Sequence, residues 1–80
     1  MNDLDFDTLF TVKEISFICK YKFNSKLSEI TIKNYIYKNL KYGSIKFTYK
    51  NNKIYISFKE FINFLSKNYL KLGFSYNPIL

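Results

Sequence analysis

The sequence predicts a small α+β domain, and three observations support that prediction. The 80 residues fit one domain and no more. Apolar residues recur at helical spacing in several stretches on both sides of a central segment. In that segment, residues 45–57, the period falls to two, and apolar and polar side chains alternate as they do along half-buried strands.

The composition excludes several kinds of chemistry. The chain has no His and a single cysteine, Cys19, so a zinc site of Cys and His ligands and an intrachain disulfide are both ruled out. Histidine-based acid–base catalysis is excluded with them. The apolar neighbours of Cys19 indicate a buried structural thiol rather than a nucleophile. We therefore expect no enzymatic activity, no metal and no cofactor.

Positive charge is concentrated in the middle of the chain. The formal charge is +7, from 13 Lys and 6 acidic residues, three of which lie within the first seven positions. No acidic residue occurs between Glu29 and Glu60, where seven lysines fall. These are Lys33, Lys38, Lys41, Lys46, Lys50, Lys53 and Lys59. Such a segment creates a positive field that attracts polyanions, which makes nucleic acid or an anionic membrane the candidate partner.

The N-terminal residues 1–8 are expected to form an acidic arm, unlike the basic start of a secretory signal. No stretch approaches the ~18 apolar residues of a membrane-spanning helix, so we expect a cytoplasmic protein. A short strand at 9–12 leads into a helix over about 12–22. The residues Thr11-Val12-Lys13-Glu14 have the form of a capping box, in which hydroxyl and carboxylate satisfy each other's backbone N–H groups.

The next stretch predicts two helices separated by a bend. Asn24 and Ser25 interrupt the first helix and can cap the second. Leu27 and Ile30 fall on the opposite side of a helical wheel from the later apolar stripe, which consists of Ile32, Tyr35, Ile36 and Leu40. A single straight helix would expose one of the two sets. The simpler arrangement is a short helix at 25–30 and a new one at 31–42, with Thr31 as its cap and Gly43 at its end.

Residues 45–50 and 53–57 predict a β-hairpin around an Asn51-Asn52 turn, because Asn tolerates positive φ. Pairing Lys50 with Lys53 sorts the side chains onto two faces. The inward face would hold Ile45, Phe47, Tyr49, Ile54, Ile56 and Phe58. The outward face would hold Lys46, Thr48, Lys50, Lys53, Tyr55 and Ser57.

A last helix is predicted over 58–72. Ser57 and Glu60 form a second capping box, and Gly73 is placed to end the helix. Leu70 lies off its apolar stripe. Residues 73–80 form an apolar tail that we expect to pack on this domain or on a second copy.

This order of elements resembles a winged helix-turn-helix, and local motifs are similar to its excisionase and MerR-like branch. Residues 10–15 (FTVKEI) look like the opening strand and helix of that family. Residues 31–36 (TIKNYI) resemble its recognition helix, and 55–61 (YISFKEF) resemble the end of its wing. The resemblance implies three N-terminal helices, a two-stranded wing hairpin and a C-terminal helix over 9–72. The chain is also similar to relaxosome accessory proteins of clostridial conjugative plasmids, of the TcpK type.

Two departures from that family stand out: the chain has no Arg, and the spacing before its recognition-helix motif is longer. In the family, the recognition helix lies in the major groove and the wing reaches a phosphate or the adjacent minor groove. The resemblance implies that double-stranded DNA contacts Thr31, Lys33, Asn34, Tyr37, Lys38 and Lys41 on the helix. On the wing it implies Lys46, Thr48, Lys50, Asn51, Asn52, Lys53 and Tyr55.

We therefore expect an AT-rich site read partly through DNA shape, because the commonest guanine-reading side chain is missing. We expect a homodimer formed through residues 70–80. The expected process is transcription, excision or plasmid DNA processing, in which the chain would act together with other proteins. The lysines of the helix can equally be an ordinary solvated face, and Asn51-Asn52 is first of all a turn. Tyr35 and Tyr49 are predicted in the core, whereas Tyr37 and Tyr55 point outward.

Two other functions remain open. A winged helix can serve as a protein-interaction module, here through Leu70 and the apolar tail. Peripheral membrane binding requires lysines beside an exposed apolar helix face. The last helix needs its apolar stripe for the core, so we expect no membrane partner.

Overall fold

The computed structural model describes residues 6–79, which form three helices and one sheet. In chain order the elements are β1 (Leu9–Thr11), α1 (Val12–Phe17) with a π-helical extension (Ile18–Lys22), α2 (Glu29–Tyr42), β2 (Thr48–Lys50), β3 (Lys53–Ser57) and α3 (Phe58–Asn68). The sheet is antiparallel with strand order β1-β3-β2. The α+β class is confirmed. The prediction of a two-stranded hairpin is incomplete, because β1 pairs with β3 through Phe10 and Ile56 and adds a third strand.

The capping box at the start of α1 forms as predicted. The Glu14 carboxylate accepts from the Thr11 N–H at 2.8 Å, and the Thr11 hydroxyl accepts from the Glu14 N–H at 3.1 Å. The helical path continues to Lys22 through a π-helical turn, in which the Phe23 N–H donates to the Ile18 carbonyl at 3.1 Å. Asn24 then adopts a φ of 59° and ends the helix.

The helix predicted at 25–30 does not form, so two helices and not three precede the hairpin. The Ser25 hydroxyl is buried, donates to the Leu72 carbonyl at 2.6 Å and accepts from the Leu27 N–H at 3.1 Å. This turn takes the backbone off a helical path. The next helix, α2, begins at Glu29, and its cap is Ser28, whose hydroxyl accepts from the Thr31 N–H at 3.1 Å. The prediction that Thr31 caps α2 is therefore wrong.

The hairpin has the predicted register, with Lys50 opposite Lys53, and Asn51 and Asn52 have φ values of 51° and 64°. Its first strand is shorter than predicted, since residues 45–47 do not pair with β3. Two of the six side chains predicted to face inward are exposed, Phe47 by 48% and Tyr49 by 65%. Tyr49 is exposed because an open cleft, and not the core, lies beneath this end of the hairpin.

Helix α3 begins at the predicted cap, with the Ser57 hydroxyl accepting from the Glu60 N–H at 3.2 Å. The second bond of the predicted capping box, from the Ser57 N–H to the Glu60 carboxylate, does not form. The carbonyls of Thr8 and Phe6 accept from the first two N–H groups of α3, so this part of the arm lies against the helix start. The acidic positions Asp3 and Asp5 lie outside the described residues. The helix ends at Asn68, four residues earlier than predicted, and the chain turns at Gly73 with a φ of 93°.

The core lies where α1, α2 and α3 meet the inner face of the sheet. Its fully buried side chains include Ile32, Ile36, Ile56, Phe61 and Leu65. Cys19 is buried as predicted, and desolvation raises the pKa of its thiol to about 12. Part of the C-terminal tail completes the core, because Phe74 is buried against Phe23 at a ring-centroid distance of 6.5 Å and Ile79 packs on the same cluster.

Candidate nucleic-acid interface

An open cleft of about 510 Å³ separates helix α2 from the tip of the β2–β3 hairpin. Its helical wall is Tyr37 of α2, and its floor comes from Thr11, Val12 and Lys13 at the start of α1. Its other wall consists of Tyr49, Asn52, Lys53 and Ile54 from the hairpin. The cleft therefore joins the predicted recognition helix to the predicted wing.

Local rules explain how these side chains reach the cleft. Tyr49 and Ile54 are cross-strand partners, so they share one face of the hairpin. The Asn51-Asn52 turn has the left-handed backbone of a tight hairpin and carries Asn52 and Lys53 at its end. Tyr37 follows the buried Ile36 on α2, and it is 48% exposed. Lys13 stands in the first turn of α1, directly after Val12.

The cleft carries positive charge and no acidic side chain. Lys13 and Lys53 are its two charged lining residues. The nearest acid in sequence, Glu14, is occupied by its capping bond to the Thr11 N–H. Within residues 6–79, the side chains of Lys13, Tyr37, Tyr49, Asn52 and Lys53 have no hydrogen-bond, ion-pair or ring partner. These groups are all available to a ligand.

Helix α2 continues this surface with an exposed polar stripe. Asn34, Tyr37, Lys38 and Lys41 are all exposed and follow the three-and-four spacing of one helix face. Tyr37 belongs both to this stripe and to the cleft. The Lys38 ammonium lies 6.0 Å from the centroid of the Tyr42 ring, a cation–π contact along the same helix.

The two remaining residues predicted as DNA contacts on α2, Thr31 and Lys33, are less available to a ligand. Thr31 is exposed, but its N–H donates to the Ser28 hydroxyl and its own hydroxyl lies 2.9 Å from that hydroxyl, so both groups already have a partner in the cap residue Ser28. Lys33 is half-buried. Thr31 and Lys33 are therefore less available to a DNA ligand than the exposed stripe is.

The predicted wing residues divide into two groups. Asn52 and Lys53 line the cleft, next to Asn51 at the turn and Lys50 across the strand pair. Thr48 pairs with Tyr55 on the opposite face of the hairpin from Tyr49, and neither lines the cleft. Lys46 is exposed in the segment before β2. The structure thus brings the tip of the wing to α2, and it leaves the outer strand positions on another face.

Five of the eight lining residues are not among the site residues that the sequence predicts: Thr11, Val12, Lys13, Tyr49 and Ile54. Alternation with polar neighbours predicts Tyr49 in the core. Thr11 and Lys13 belong to a capping motif, and a capping motif carries no signal of a binding surface. Their position follows only from β1 joining the sheet beside β3, which places the start of α1 next to the hairpin.

Comparison of the chain with protein-family models, curated proteins and solved structures finds no match. Among residues 6–79 the helices are all too short or too polar to pass through a lipid bilayer. Over the same residues, no cluster of three or more His, Cys, Asp or Glu side chains is arranged to hold a metal ion.

Proposed function

We propose that this chain binds double-stranded DNA as a winged helix-turn-helix, with α2 as the recognition helix and the β2–β3 hairpin as the wing. The observation that carries the proposal is the position of Tyr37, which belongs to the exposed stripe of α2 and lines the cleft shared with the hairpin tip. Two consecutive lysine-bearing elements, α2 and the hairpin, therefore border one cleft.

The dimensions suit this partner. Helix α2 has 14 residues, a length of about 21 Å at the usual rise per residue. An α-helix of ordinary diameter fits the major groove of B-DNA. Asn34 offers an amide for an adenine edge, and Lys38 and Lys41 offer ammonium groups for guanine acceptors or phosphates. The hairpin tip, with Lys50 and Lys53, would then meet the adjacent backbone or minor groove.

An AT-rich target fits this set of side chains. Without Arg, the strongest bidentate guanine contact is missing, so groove width and deformability are left to supply much of the specificity. Two further parts of the proposal have other sources. The homodimer is inferred from the apolar tail over residues 70–80, and the role in transcription, excision or plasmid DNA processing is inferred from the resemblance to the excisionase and MerR-like family.

Charge reversal at the wing tip tests the proposal. In fluorescence-anisotropy titrations with an AT-rich duplex, Lys50→Glu/Lys53→Glu should weaken binding by about tenfold or more, since two phosphate contacts become repulsive. The double change keeps a like-charge pair across the strands, so cross-strand repulsion is matched.

Lys67→Glu/Lys71→Glu is the matched control. It changes the net charge equally at two exposed positions outside the cleft. Its effect should stay within about threefold, as expected for a long-range charge effect that salt screens. Equal losses in the two variants would leave only general charge attraction, and unchanged affinity in the wing variant would remove the wing from the interface.

A protein-interaction module is the second candidate. Leu70 is 69% exposed and Tyr76 75% exposed, both beyond the end of α3. Side chains this apolar and exposed favour a protein contact at that end of the molecule. Sedimentation of the purified chain and of a Leu70→Glu variant tests whether this contact is with a second copy. A concentration-dependent dimer that the substitution abolishes would place the dimer interface here.

A further inference from the structure

We propose that the cleft between α2 and the hairpin holds an unpaired nucleotide, with its base against the rings of Tyr37 and Tyr49. This inference deepens the proposed function and rests on it, because it places the nucleotide within DNA bound to the same surface. Recognition of a duplex by helix and wing does not require an unpaired nucleotide, so the inference adds a new ligand class to the proposed function.

The two tyrosines are the first observation. They come from different elements, border one cleft and are both substantially exposed. Other aromatic side chains, such as Phe10, Tyr35 and Phe58, already pack on neighbouring rings. Tyr37 and Tyr49 have no ring contact within residues 6–79. Tyrosine faces stack on any nucleobase, and the contact is largely independent of sequence.

The surroundings of the rings match the rest of a nucleotide. Lys13 at the start of α1 and Lys53 on the hairpin both line the cleft, and each can contact a flanking phosphate. The Asn52 amide can hydrogen-bond a base edge, and Ile54 supplies apolar surface beside the rings. The volume of about 510 Å³ lies within the range of clefts that hold small ligands. No acidic side chain lines the cleft to repel a phosphate.

A base within a paired duplex is stacked between its neighbours and cannot enter this cleft. The chain should therefore prefer a duplex that already contains an unpaired base. AT-rich DNA, with its easily unstacked TA steps, lowers the cost of presenting one.

Three short duplexes of the same AT-rich sequence provide the test. One is fully paired, one carries a single unpaired 2-aminopurine, and one carries an abasic residue at that position. We expect about tenfold tighter binding to the unpaired base than to the paired duplex, within the range measured for stacking on aromatic side chains. The abasic duplex should bind like the paired one, and 2-aminopurine fluorescence should fall on binding because the base becomes stacked.

Two substitutions assign the effect to the cleft. Tyr49→Leu should bring the ratio of the two affinities close to one, and Tyr49→Phe should retain the preference because the ring remains. Tyr21→Leu, at an exposed tyrosine that packs on Phe17 outside the cleft, is the control and should keep the full ratio.

The outcomes separate this inference from the proposed function. Equal binding to all three duplexes overturns the inference and leaves duplex binding intact. A preference that the abasic duplex shares also overturns it, because backbone flexibility would then be the cause. A single strand that carries the same 2-aminopurine is the fourth probe. Stacking of its base without binding of the paired duplex would support the cleft assignment and contradict the proposed function.

Discussion

At the scale of single residues, one contact between distant parts of the chain shapes the molecule. Ser25 satisfies the carbonyl of Leu72, and Gly73 lies against the same serine and Leu27. A Cβ at Gly73 would overlap the Ser25 hydroxyl and approach the Leu27 Cγ to 2.8 Å. This junction holds the segment after α3 against the connection between α1 and α2.

Two glycines separate the effect of this close approach from that of backbone strain. Gly73 and Gly43 both have positive φ, 93° and 80°, but nothing lies within 4 Å of a Cβ built at Gly43. Gly43→Ala should cost about 1 kcal/mol of unfolding free energy from strain alone. Gly73→Ala should cost about 2–4 kcal/mol, because overpacking is added. Urea unfolding of both variants measures the difference, and equal losses would contradict the close packing at Gly73.

The buried thiol of Cys19 should be inert in the folded protein. Its pKa is raised to about 12 by desolvation, so little thiolate exists near neutral pH, and none of the side chain is exposed. A thiol-reactive disulfide reagent should modify Cys19 only as fast as the chain unfolds. Rapid modification of the native protein at pH 8 would contradict this burial.

The same pKa shift predicts how stability depends on pH. The unfolded thiol titrates near pH 8.5, whereas the folded thiol holds its proton to about pH 12. Stability from this group is complete below the unfolded pKa and is lost as pH rises toward the folded value. The difference in unfolding free energy between wild type and Cys19→Ala should therefore be constant below about pH 8 and shrink above it.

At the scale of elements, the sequence predicts those features that depend on residues close together in the chain, such as helix caps and tight turns. Thr11 and Glu14 supply both halves of a cap, and Asn51-Asn52 supplies the turn, so α1 and the hairpin register are correct. The helix predicted at 25–30 is absent because Ser25 bonds a carbonyl 47 residues further along the chain. The periodicity of the sequence cannot reveal such a distant contact. The alternation of apolar and polar residues likewise separates the two hairpin faces. It cannot show that Tyr49 borders an open cleft and not the core. Asn52 and Lys53 of the candidate site can be predicted, because an Asn-Asn turn flanked by lysines is recognisable in the sequence.

The start of α2 offers a direct check on this correction. Ser28 is the cap, and Thr31 lies three residues inside the helix. Ser28→Ala should lower the unfolding free energy by about 1 kcal/mol, because one helix N–H loses its acceptor. Thr31→Ala should cost no more than about 0.5 kcal/mol, as at an ordinary exposed position. Thermal unfolding of the two variants should rank them in that order, and the reverse order would restore Thr31 as the cap.

At the scale of the whole molecule, size and charge define how DNA would be bound. The domain extends 34 × 30 × 19 Å, so one copy bound as proposed would cover about one turn of duplex, which spans about 34–36 Å. A homodimer would then occupy two half-sites roughly one turn apart. The acid-free stretch between Glu29 and Glu60 includes most of α2 and the whole hairpin, so under the proposed function we expect its charge to act on the bound DNA.

The salt dependence of binding is set by that charge. With roughly five lysines on phosphates per protomer, the logarithm of the binding constant should fall with the logarithm of salt concentration at a slope of about −4 to −5. The wing variant Lys50→Glu/Lys53→Glu should flatten this slope by about two, and Lys67→Glu/Lys71→Glu should leave it nearly unchanged. A slope near zero for the wild type would exclude phosphate contacts as the main source of affinity.

The most direct measurement is a ¹⁵N–¹H NMR titration of the chain with an AT-rich duplex. The account predicts shift changes along Asn34 to Lys41, at Lys50 to Lys53 and at the start of α1, all saturating at one DNA concentration. The amides from Leu70 to Tyr76 should stay in place, apart from any effect of dimerisation seen without DNA. Changes confined to Leu70 to Tyr76, or to only one side of the cleft, would contradict a single surface built from helix and wing.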